Sequence, residues 1–484
     1  MIDISTLNTG LYIGGEWHDA RETFTTLNPA TGQPLADLAA ADASDVDAAV
    51  SAATTAFRGD WGALAPSRKG ALLNKLADLV ERDVEQLAAL ESLDMGRPVG
   101  MSAAMMIPNL IGTLRYYAGW ADKINGELIA NDGYMGGPVP THAYTRREPL
   151  GVVAAIVPWN APLMILGWKL APALACGNTV IIKPAEDASL SILRLAELVT
   201  EAGFPPGTVN VLPGVGKVAG EALALHPGIK KISFTGSTVT GRAILQNSAV
   251  NFKRTALELG GKAPQIIFDD ANLEAAIQGT AMGLFFNQGE VCAAGTRVIV
   301  HRKVYDAVID GLKGAAQAQV IGDPFDPSTT MGPLVNERQR DRVLEYMKTG
   351  AGEGADVITG GSAPEGPGFF VEPTVLAGSN EMTVAREEIF GPVGVVIPFD
   401  SDEEAIALAN DNQYGLSATV WTSDVTRAHT ISAKVEAGAI GVNGWSPLAP
   451  QLPWGGVKAS GVGRELGFEG ILSYTETKTV TVVL

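Results

Sequence analysis

Four short runs rich in β-branched residues alternate with helix-like segments between residues 150 and 235, and this alternation limits the fold more than any other feature. The predicted strands and the helices between them are, in chain order, 152–157, 162–175, 179–183, 190–202, 209–212, 216–225 and 229–234. Short connecting loops imply right-handed crossovers and a parallel sheet, so we predict an α/β protein. Because ligands bind beyond the carboxyl ends of such strands, the loops 158–160, 183–186 and 235–241 are expected to line a site.

The length of 484 residues exceeds what one core accommodates and predicts two or three domains. Before the alternating region, apolar residues at helical spacing predict helices over 44–58 and 66–95, the second ending before Gly96 and Pro98. After it, a second α/β unit is predicted to begin near Gly260. Its first elements are a strand at 266–268, a helix at 272–285 and a strand at 297–301.

Two further segments predict strands outside these units. Residues 131–149 are rich in glycine, proline and polar residues and contain a candidate edge strand at 143–147. The tail from 473 to 484 ends in an apolar, β-branched run. An unpaired apolar strand invites aggregation, so we expect this tail to pair with a neighbouring element or with another subunit.

Charge and cysteine content exclude several classes of function. The formal net charge is −18, which disfavours binding to nucleic acid or to anionic membranes. The two cysteines, Cys176 and Cys292, are too few for a disulfide framework, and no secretory signal is visible, so a cytoplasmic protein is expected. The most apolar stretch, 151–182, is interrupted by prolines, asparagines and a lysine and does not predict a membrane span. The five histidines lack ligand-like spacing, so no metal site is predicted.

Cys292 is the candidate nucleophile. It follows a glycine-containing loop and precedes two alanines, an arrangement that exposes the sulfur and frees the local amides. Most cysteines are small buried hydrophobic residues, and we assign that role to Cys176, which ends an apolar helix. The spacing also leaves a Cys–His hydrolase open, because triad partners are often distant in sequence.

Glu258 and Asn160 are candidates for acid–base and oxyanion chemistry. Glu258 ends an apolar strand before two glycines, where burial raises a carboxyl pKa towards that of a general base, although a solvated turn acid is an equal alternative. Asn160 lies between a strand and the helix-starting Pro162. Its amide suits an oxyanion donor, and it also suits a helix cap.

Two other loops are candidates for cofactor binding. The segment 234–238 closes a strand and opens a helix, so the amide of Gly236 and the hydroxyl of Ser237 are placed to hold a pyrophosphate, although the glycine spacing is not the common fingerprint. Lys183 and Glu186 follow another strand. A glutamate at this place suits ribose hydroxyls and repels a 2′-phosphate, which favours NAD while leaving NADP as an alternative.

These segments, taken in order, resemble the aldehyde dehydrogenase superfamily over nearly the whole chain. The matching segments are 158–160, 183–186, 203–207, 234–237, 258–262, 285–295, 387–392 and 463–467. The resemblance implies a Rossmann-like cofactor domain formed by 1–128 and 150–259, and a catalytic α/β domain over 260–468. It also implies an oligomerisation element formed by 129–149 and 469–484, which makes dimers or tetramers in the family.

The resemblance also implies roles for individual residues. Cys292 resembles the nucleophile that forms a thioester, and Glu258 the base that activates the deacylating water. Asn160 and the Cys292 amide resemble the oxyanion hole, whereas Lys169 and Glu465 resemble residues that orient Glu258 or relay its proton. The residues that resemble the family's NAD site are Trp159, Lys183, Glu186, Gly236, Ser237, Glu388 and Phe390.

Departures from the family pattern bear on the aldehyde substrate. Ala161 stands where many members carry an aromatic residue, and Val291 follows Glu290 where an amide residue is frequent. The other residues expected at a roomy, apolar entrance are Met164, Trp168, Trp445, Leu448 and Trp454. We therefore expect a medium or bulky apolar or aromatic aldehyde, with ω-amino or betaine aldehydes as the alternative. Several of these side chains are equally typical of an ordinary core.

Three other activities remain as alternatives. In a CoA-acylating dehydrogenase a thiol replaces water, but that branch commonly lacks the base that Glu258 resembles. A cysteine acyltransferase without redox chemistry does not explain Glu186, Ser237 and Glu388. A non-enzymatic protein on the same fold does not explain why the nucleophile, base and oxyanion candidates occur together.

Overall fold

The computed structural model describes residues 4–445 and 448–484, and within them eight strands form a first, mostly parallel sheet. In spatial order its strands are Glu16–His18, Leu11–Ile13, Val209–Val211, Thr179–Lys183, Val152–Ile156, Ile229–Thr235, Arg254–Glu258 and Gly461–Val462. The five central strands run parallel, which confirms the predicted α/β class. Val152–Ile156 is apolar throughout and Thr179–Lys183 is apolar between its two ends, as expected of strands that helices cover on both faces.

The register of the parallel strands brings their carboxyl ends to one edge. Ile156 lies opposite Lys183 and Phe234, and Thr235 lies opposite Glu258. The loops predicted to line a site therefore leave the sheet side by side. The helices that pack around this sheet are Ala43–Arg58, Asp60–Ala63, Pro66–Arg82, Val84–Met95, Val99–Met101, Ile107–Ala118, Pro162–Ala175, Leu190–Ala202, Glu221–Leu225 and Thr238–Ser248.

The helix predicted over 66–95 is instead two helices that meet at Asp83. The backbone of Asp83 leaves the helical region, with φ −101° and ψ 19°. Its carboxylate lies 2.6 Å from the guanidinium groups of both Arg82 and Arg194, which fixes the junction against a neighbouring helix. The segment 216–225 also differs, because a wide helical turn at Gly216–Gly220 precedes the α-helix Glu221–Leu225.

A second sheet of seven strands follows within the described residues. Its order is Asp356–Thr359, Thr374–Ala377, Val393–Phe399, Arg297–His301, Pro264–Ile267, Ser417–Trp421 and Ala439–Val442. All neighbours are parallel except the first pair. Its helices are Leu273–Phe285, Tyr305–Gln317, Glu337–Gly352, Thr383–Arg386, Asp402–Asn410 and Val425–Lys434. The later helix Gly467–Ser473 instead packs against Pro162–Ala175 of the first unit.

The tail pairs with the excursion that the sequence singled out. Thr475–Val483 runs antiparallel to Thr141–Pro149 along its whole length, and Leu128–Ile129 adds a short third strand. The predicted tail strand thus begins only after the helix that ends at Ser473. The remaining pairs are Glu22–Asn28 with Gln33–Ala40 and Tyr414–Gly415 with Val457–Lys458.

Across residues 4–445 and 448–484, none of the helices combines the length and the apolar character that crossing a membrane requires.

Candidate active site

A cavity of about 200 Å³ lies at the carboxyl ends of the parallel strands, where the first sheet faces the Cys292 segment. Seven residues that the sequence singled out line it: Trp159, Asn160, Gly236, Ser237, Cys292, Glu388 and Phe390. Gln339 and Arg342, which the sequence reading missed, complete one wall. Gln339 donates a 2.6 Å hydrogen bond to the carbonyl of Phe390, and Arg342 donates one of 2.8 Å to the carbonyl of Glu388, so both hold the loop that carries these residues.

Cys292 is presented by a turn with an unusual backbone. Asn287, Gln288 and Gly289 all have positive φ, between 51° and 69°. Left-handed conformations are costly for residues with a Cβ, so this turn depends on contacts from the surrounding structure. The Cys292 side chain is partly exposed at the cavity wall. Burial of the sulfur, together with the charges of Glu388 and Glu258, raises the pKa of its thiol to about 12.

Asn160 is buried with its side-chain amide directed at the Cys292 turn. Its Nδ2 donates a 2.8 Å hydrogen bond to the carbonyl of Glu290, two residues before Cys292. Its own carbonyl accepts hydrogen bonds from Nη2 of Arg97 and from Nδ2 of Asn287, the latter at 3.0 Å. An amide nitrogen carries two protons, so Asn160 retains one donor for a ligand in the cavity.

Arg97 and Glu91 form a fully buried ion pair behind Asn160 that sequence reasoning missed. Nη1 of Arg97 lies 2.9 Å from Oε2 of Glu91, and Nε donates a 2.6 Å hydrogen bond to Oδ1 of Asn287. Oε1 of Glu91 accepts from the amide of Leu163, in the first turn of the helix that follows Asn160. One guanidinium thus ties the Asn160 loop to the Cys292 turn.

Glu258 ends its strand in a buried pocket beside the cavity. Among the described residues, neither of its carboxylate oxygens makes a hydrogen bond. Gly455 packs against it so closely that a Cβ there would lie 2.8 Å from Oε1. Burial raises the pKa of Glu258 well above its usual range, the charge of Glu465 adds to the rise, and Lys169 and Arg464 oppose it.

Lys169 and Glu465 form a second buried ion pair next to Glu258. Nζ of Lys169 lies 2.5 Å from Oε1 of Glu465 and donates a 2.7 Å hydrogen bond to Oγ1 of Thr235. The hydroxyl of Ser233 donates to the same glutamate oxygen at 2.8 Å. Neither charged residue lines the cavity, and both act on the pKa of Glu258.

Lys183 and Glu186 lie together at the neighbouring strand end, outside the cavity. Nζ of Lys183 is 3.4 Å from Oε2 of Glu186, and Oε1 accepts a 2.7 Å hydrogen bond from the amide of Gly216. Although burial alone would raise the pKa of Glu186, Lys183 and the Gly216 amide hold it below its usual range. The carboxylate is therefore charged and partly open to solvent.

The remaining cofactor candidates surround the mouth of the cavity. Ser237 caps the helix Thr238–Ser248 by accepting a hydrogen bond from the amide of Thr240 at 3.2 Å. Trp159 and Phe390 meet edge to face, with ring centroids 5.2 Å apart. Oε1 of Glu388 accepts a 3.0 Å hydrogen bond from the amide of Gly261, and burial raises the pKa of Glu388 to about 7.

The substrate candidates pack in a core next to the cavity. Ala161, Trp168 and Trp454 are each about 4% exposed, and the two tryptophan rings are 6.3 Å apart. Met164, Val291 and Leu448 are partly buried against the same core. Trp445 donates a 3.1 Å hydrogen bond to the carbonyl of Ala293, next to Cys292. Leu448 and Trp454 also line a separate cavity of about 180 Å³.

Within residues 4–445 and 448–484, no three His, Cys, Asp or Glu side chains converge as metal ligands would.

Comparison with known proteins gives one consistent result. The sequence model of the aldehyde dehydrogenase family matches residues 17–480 of this chain. The mitochondrial aldehyde dehydrogenase of Homo sapiens is 46% identical over 478 residues, which cover 98% of this chain and 91% of that protein. Retinal dehydrogenase 2 of Homo sapiens is 45% identical and covers 98% and 92% of the two chains. An NAD+ complex structure of the Bacillus cereus aldehyde dehydrogenase is 45% identical, with a TM-score of 0.96 and coverage of 99% and 97%. The family match includes every residue that lines the cavity.

Proposed function

The chain belongs to the aldehyde dehydrogenase family, and from this premise we propose that it oxidises an aldehyde to a carboxylic acid with NAD through a thioester on Cys292. The observation that carries the proposal is the shared cavity. Its walls combine a cysteine, a buried amide donor and the cap of a helix that begins at a strand end. A nucleophile, an oxyanion donor and a phosphate-binding helix start are the parts that this chemistry requires.

The residues around the cavity fit NAD. Ser237, at the start of the helix Thr238–Ser248, suits the pyrophosphate, and the charged Glu186 beside Lys183 suits the adenosine ribose hydroxyls. Glu388 and Phe390 suit the nicotinamide ribose and ring, and Trp159 suits the wall of the cleft. Bound NAD supplies a hydride acceptor. The charge of Glu186 opposes a 2′-phosphate, which favours NAD over NADP.

Acylation uses Cys292 and Asn160. The Cys292 thiol gives its proton to water, and the resulting thiolate attacks the aldehyde carbon to form a thiohemiacetal. The free proton of the Asn160 amide and the Cys292 amide stabilise its oxyanion. Loss of one such donor costs about 3–4 kcal/mol in unrelated enzymes that stabilise an oxyanion in the same way. Loss of hydride from the thiohemiacetal leaves the thioester.

Deacylation uses Glu258. Its raised pKa suits a carboxylate that takes a proton from water near neutral pH. No described residue hydrogen-bonds to the carboxylate oxygens of Glu258, so they are free to accept that proton, and the buried ion pair of Lys169 and Glu465 lies beside them. Water then attacks the thioester and releases the acid.

The substrate we propose is a medium or bulky apolar or aromatic aldehyde. The small side chain of Ala161 removes bulk beside Asn160, and Trp168 and Trp454 make the neighbouring core aromatic. The relationship to a retinal dehydrogenase at 45% identity supports a bulky apolar aldehyde. A box for a quaternary ammonium group needs several aromatic faces around one cation, and Ala161 removes one of them.

We further propose the domain and subunit arrangement that the resemblance implies. Residues 1–128 and 150–259 form the cofactor domain, residues 260–468 the catalytic domain, and residues 129–149 and 469–484 the oligomerisation element of a homodimer or homotetramer. The exposed apolar side chains at the end of the tail strand, among them Val483 and Leu484, support a partner at that edge.

The test is a Glu258→Gln enzyme mixed with an apolar aldehyde and NAD. We expect a burst of NADH equal to the active-site concentration, followed by turnover slowed about 10²- to 10⁴-fold, with the acyl group found on the Cys292 peptide by mass spectrometry. Cys292→Ala should show neither burst nor turnover. Turnover by Cys292→Ala would refute the covalent mechanism, and product formation only with CoA would identify the acylating branch.

A further inference from the structure

Glu290 contacts Asn160 through its backbone and a distant segment through its side chain. The carbonyl of Glu290 accepts hydrogen bonds from Nδ2 of Asn160 at 2.8 Å and from Nδ2 of Asn287 at 3.1 Å. Oε1 of its carboxyl group accepts a 3.0 Å hydrogen bond from the amide of Val335, which is 45 residues away in sequence. The residue therefore bridges the oxyanion donor and the segment around Val335.

The side chain of Glu290 is completely buried, and its second carboxyl oxygen makes no hydrogen bond among the described residues. A carboxylate in such a place is costly to bury, whereas the neutral acid is much less so. Consistent with this, burial raises the pKa of Glu290 well above its usual range, and the Val335 amide and Arg97 oppose only part of the rise. The hydrogen bond from the Val335 amide to Oε1 anchors the chain at this point.

The anchor matters because the turn before it is strained. Three successive residues, Asn287 to Gly289, have positive φ, and this turn leads directly into Glu290. A strained turn keeps its shape only where its surroundings determine it. Gly289 packs against the backbone of Gly391 with no room for a Cβ, which confines the start of this segment. The hydrogen bond between the Val335 amide and Glu290 holds the residue that follows the turn.

We propose that Glu290 is a positioning residue for the oxyanion donor: its side chain pins the turn to Val335, and its carbonyl aims the amide of Asn160 at the reacting carbonyl. The inference rests on the proposed thioester mechanism and deepens it, because it states what sets the orientation of one oxyanion donor. Glu290 itself does not line the cavity.

Three variants test whether Glu290 acts by positioning the turn through its side-chain hydrogen bond. Glu290→Ala removes the anchor and should lower the rate of the NADH burst about 10- to 100-fold, the effect expected of a small misplacement of a reacting group. Glu290→Gln retains an oxygen that accepts from Val335 and should restore the burst to within about threefold of wild type. The matched control is Glu365→Gln, an exposed carboxyl in a distant loop, which should not change the burst.

A double-mutant cycle with Asn160→Ala identifies the route of the effect. Asn160→Ala alone should slow the burst about 10²- to 10³-fold. If Glu290 acts through Asn160, adding Glu290→Ala to Asn160→Ala should slow the NADH burst by less than about a further twofold. Additive losses would overturn the inference, whereas a wild-type burst in Asn160→Ala would instead refute the proposed oxyanion hole.

Alkylation of Cys292 by iodoacetamide distinguishes positioning from collapse of the site. This reaction uses the same thiol but forms no oxyanion, so Glu290→Ala should alkylate within about twofold of the wild-type rate. Circular dichroism and thermal unfolding verify that each variant is folded. A parallel loss of alkylation and burst in a folded Glu290→Ala enzyme, or failure of Glu290→Gln to restore the burst, would contradict the positioning role.

Discussion

The ammonium of Lys169 and the carboxylate of Glu465 form an ion pair with Nζ 2.5 Å from Oε1, and both side chains are buried. The pair lies beside Glu258, whose pKa is raised first by burial and then by the charge of Glu465, while Lys169 acts in the opposite direction. Two buried charges of opposite sign therefore act on a third group that has no hydrogen bond of its own among the described residues.

Glu465→Gln should shift the pH dependence of deacylation to lower pH. Removing the negative charge of Glu465 makes the ionised form of Glu258 less unfavourable and leaves Lys169 to stabilise it, so the pKa of Glu258 falls. We expect the acid limb of kcat to move down by about one pH unit or more where deacylation limits turnover. The exposed Glu469→Gln is the control. An unchanged acid limb in a folded Glu465→Gln enzyme would contradict this coupling.

Gly260→Ala should weaken NAD binding. A Cβ at Gly260 would overlap Oε2 of Glu388, which lies where we propose the nicotinamide ribose binds, and the carboxylate would have to move. We expect kcat/KM for NAD to fall about 10- to 100-fold, with KM carrying most of the change. Gly314→Ala is the matched control, because its Cβ would meet open space on the helix Tyr305–Gln317 and should leave activity unchanged. Equal KM values for the two variants would refute the assignment of Glu388.

Arg97→Met should destabilise the protein and impair acylation, and the two effects should be separable. Loss of Arg97 leaves the carboxylate of Glu91 buried and unpaired, which costs about 3–5 kcal/mol in the free energy of unfolding. The double variant Glu91→Leu/Arg97→Met should recover much of that stability. It should not recover the burst of NADH, because the Asn160 carbonyl still lacks its guanidinium donor. Denaturant unfolding and stopped-flow bursts measure the two effects, and a double variant with wild-type burst kinetics would show that Arg97 is only structural.

The positions of the central strands are predictable because their sequences are locally unambiguous. Every residue of Val152–Ile156 and Thr179–Lys183 is buried, and each strand has an apolar, β-branched centre and ends at a turn. The strand Gly461–Val462 has only two residues, too few for any periodicity, yet it pairs beside Glu258 and closes that edge of the sheet. Its place depends on long-range packing, which local sequence does not record.

The residues of the candidate site likewise fall into those that the sequence reveals and those that only long-range contacts place there. Cys292 and Asn160 stand out in sequence because each follows a strand or loop signal that local patterns reveal, whereas Glu388 stands out only through the family resemblance. The structure brings all three to one cavity. The groups that hold Asn160 do not stand out, because Arg97 is 63 residues and Glu290 130 residues away from it along the chain. In sequence Arg97 shows only as a charged residue after the helix-ending Gly96, and its burial becomes visible in the structure.

Glu186→Gln should relax the preference for NAD over NADP. The carboxylate of Glu186 is charged and partly exposed, and its charge opposes a 2′-phosphate at the proposed ribose site. Replacing it with a neutral amide should lower the ratio of kcat/KM for NAD to that for NADP by about tenfold. NADH and NADPH formation with one aldehyde gives the ratio. Asp341→Asn, on an exposed helix face, is the control, and an unchanged ratio in Glu186→Gln would place the ribose elsewhere.

Alkylation of Cys292 as a function of pH tests the electrostatics of the cavity. Burial and the charges of Glu388 and Glu258 raise the thiol pKa to about 12, so the alkylation rate of the free enzyme should rise about tenfold per pH unit and reach no plateau near neutral pH. The carboxyl of Glu388 has a pKa of about 7, so its repulsion of the thiolate is present above that pH and absent below it. Glu388→Gln should therefore match wild type in acid and alkylate about tenfold faster at alkaline pH. A constant rate ratio across the whole range would show that Glu388 acts on Cys292 through packing rather than charge.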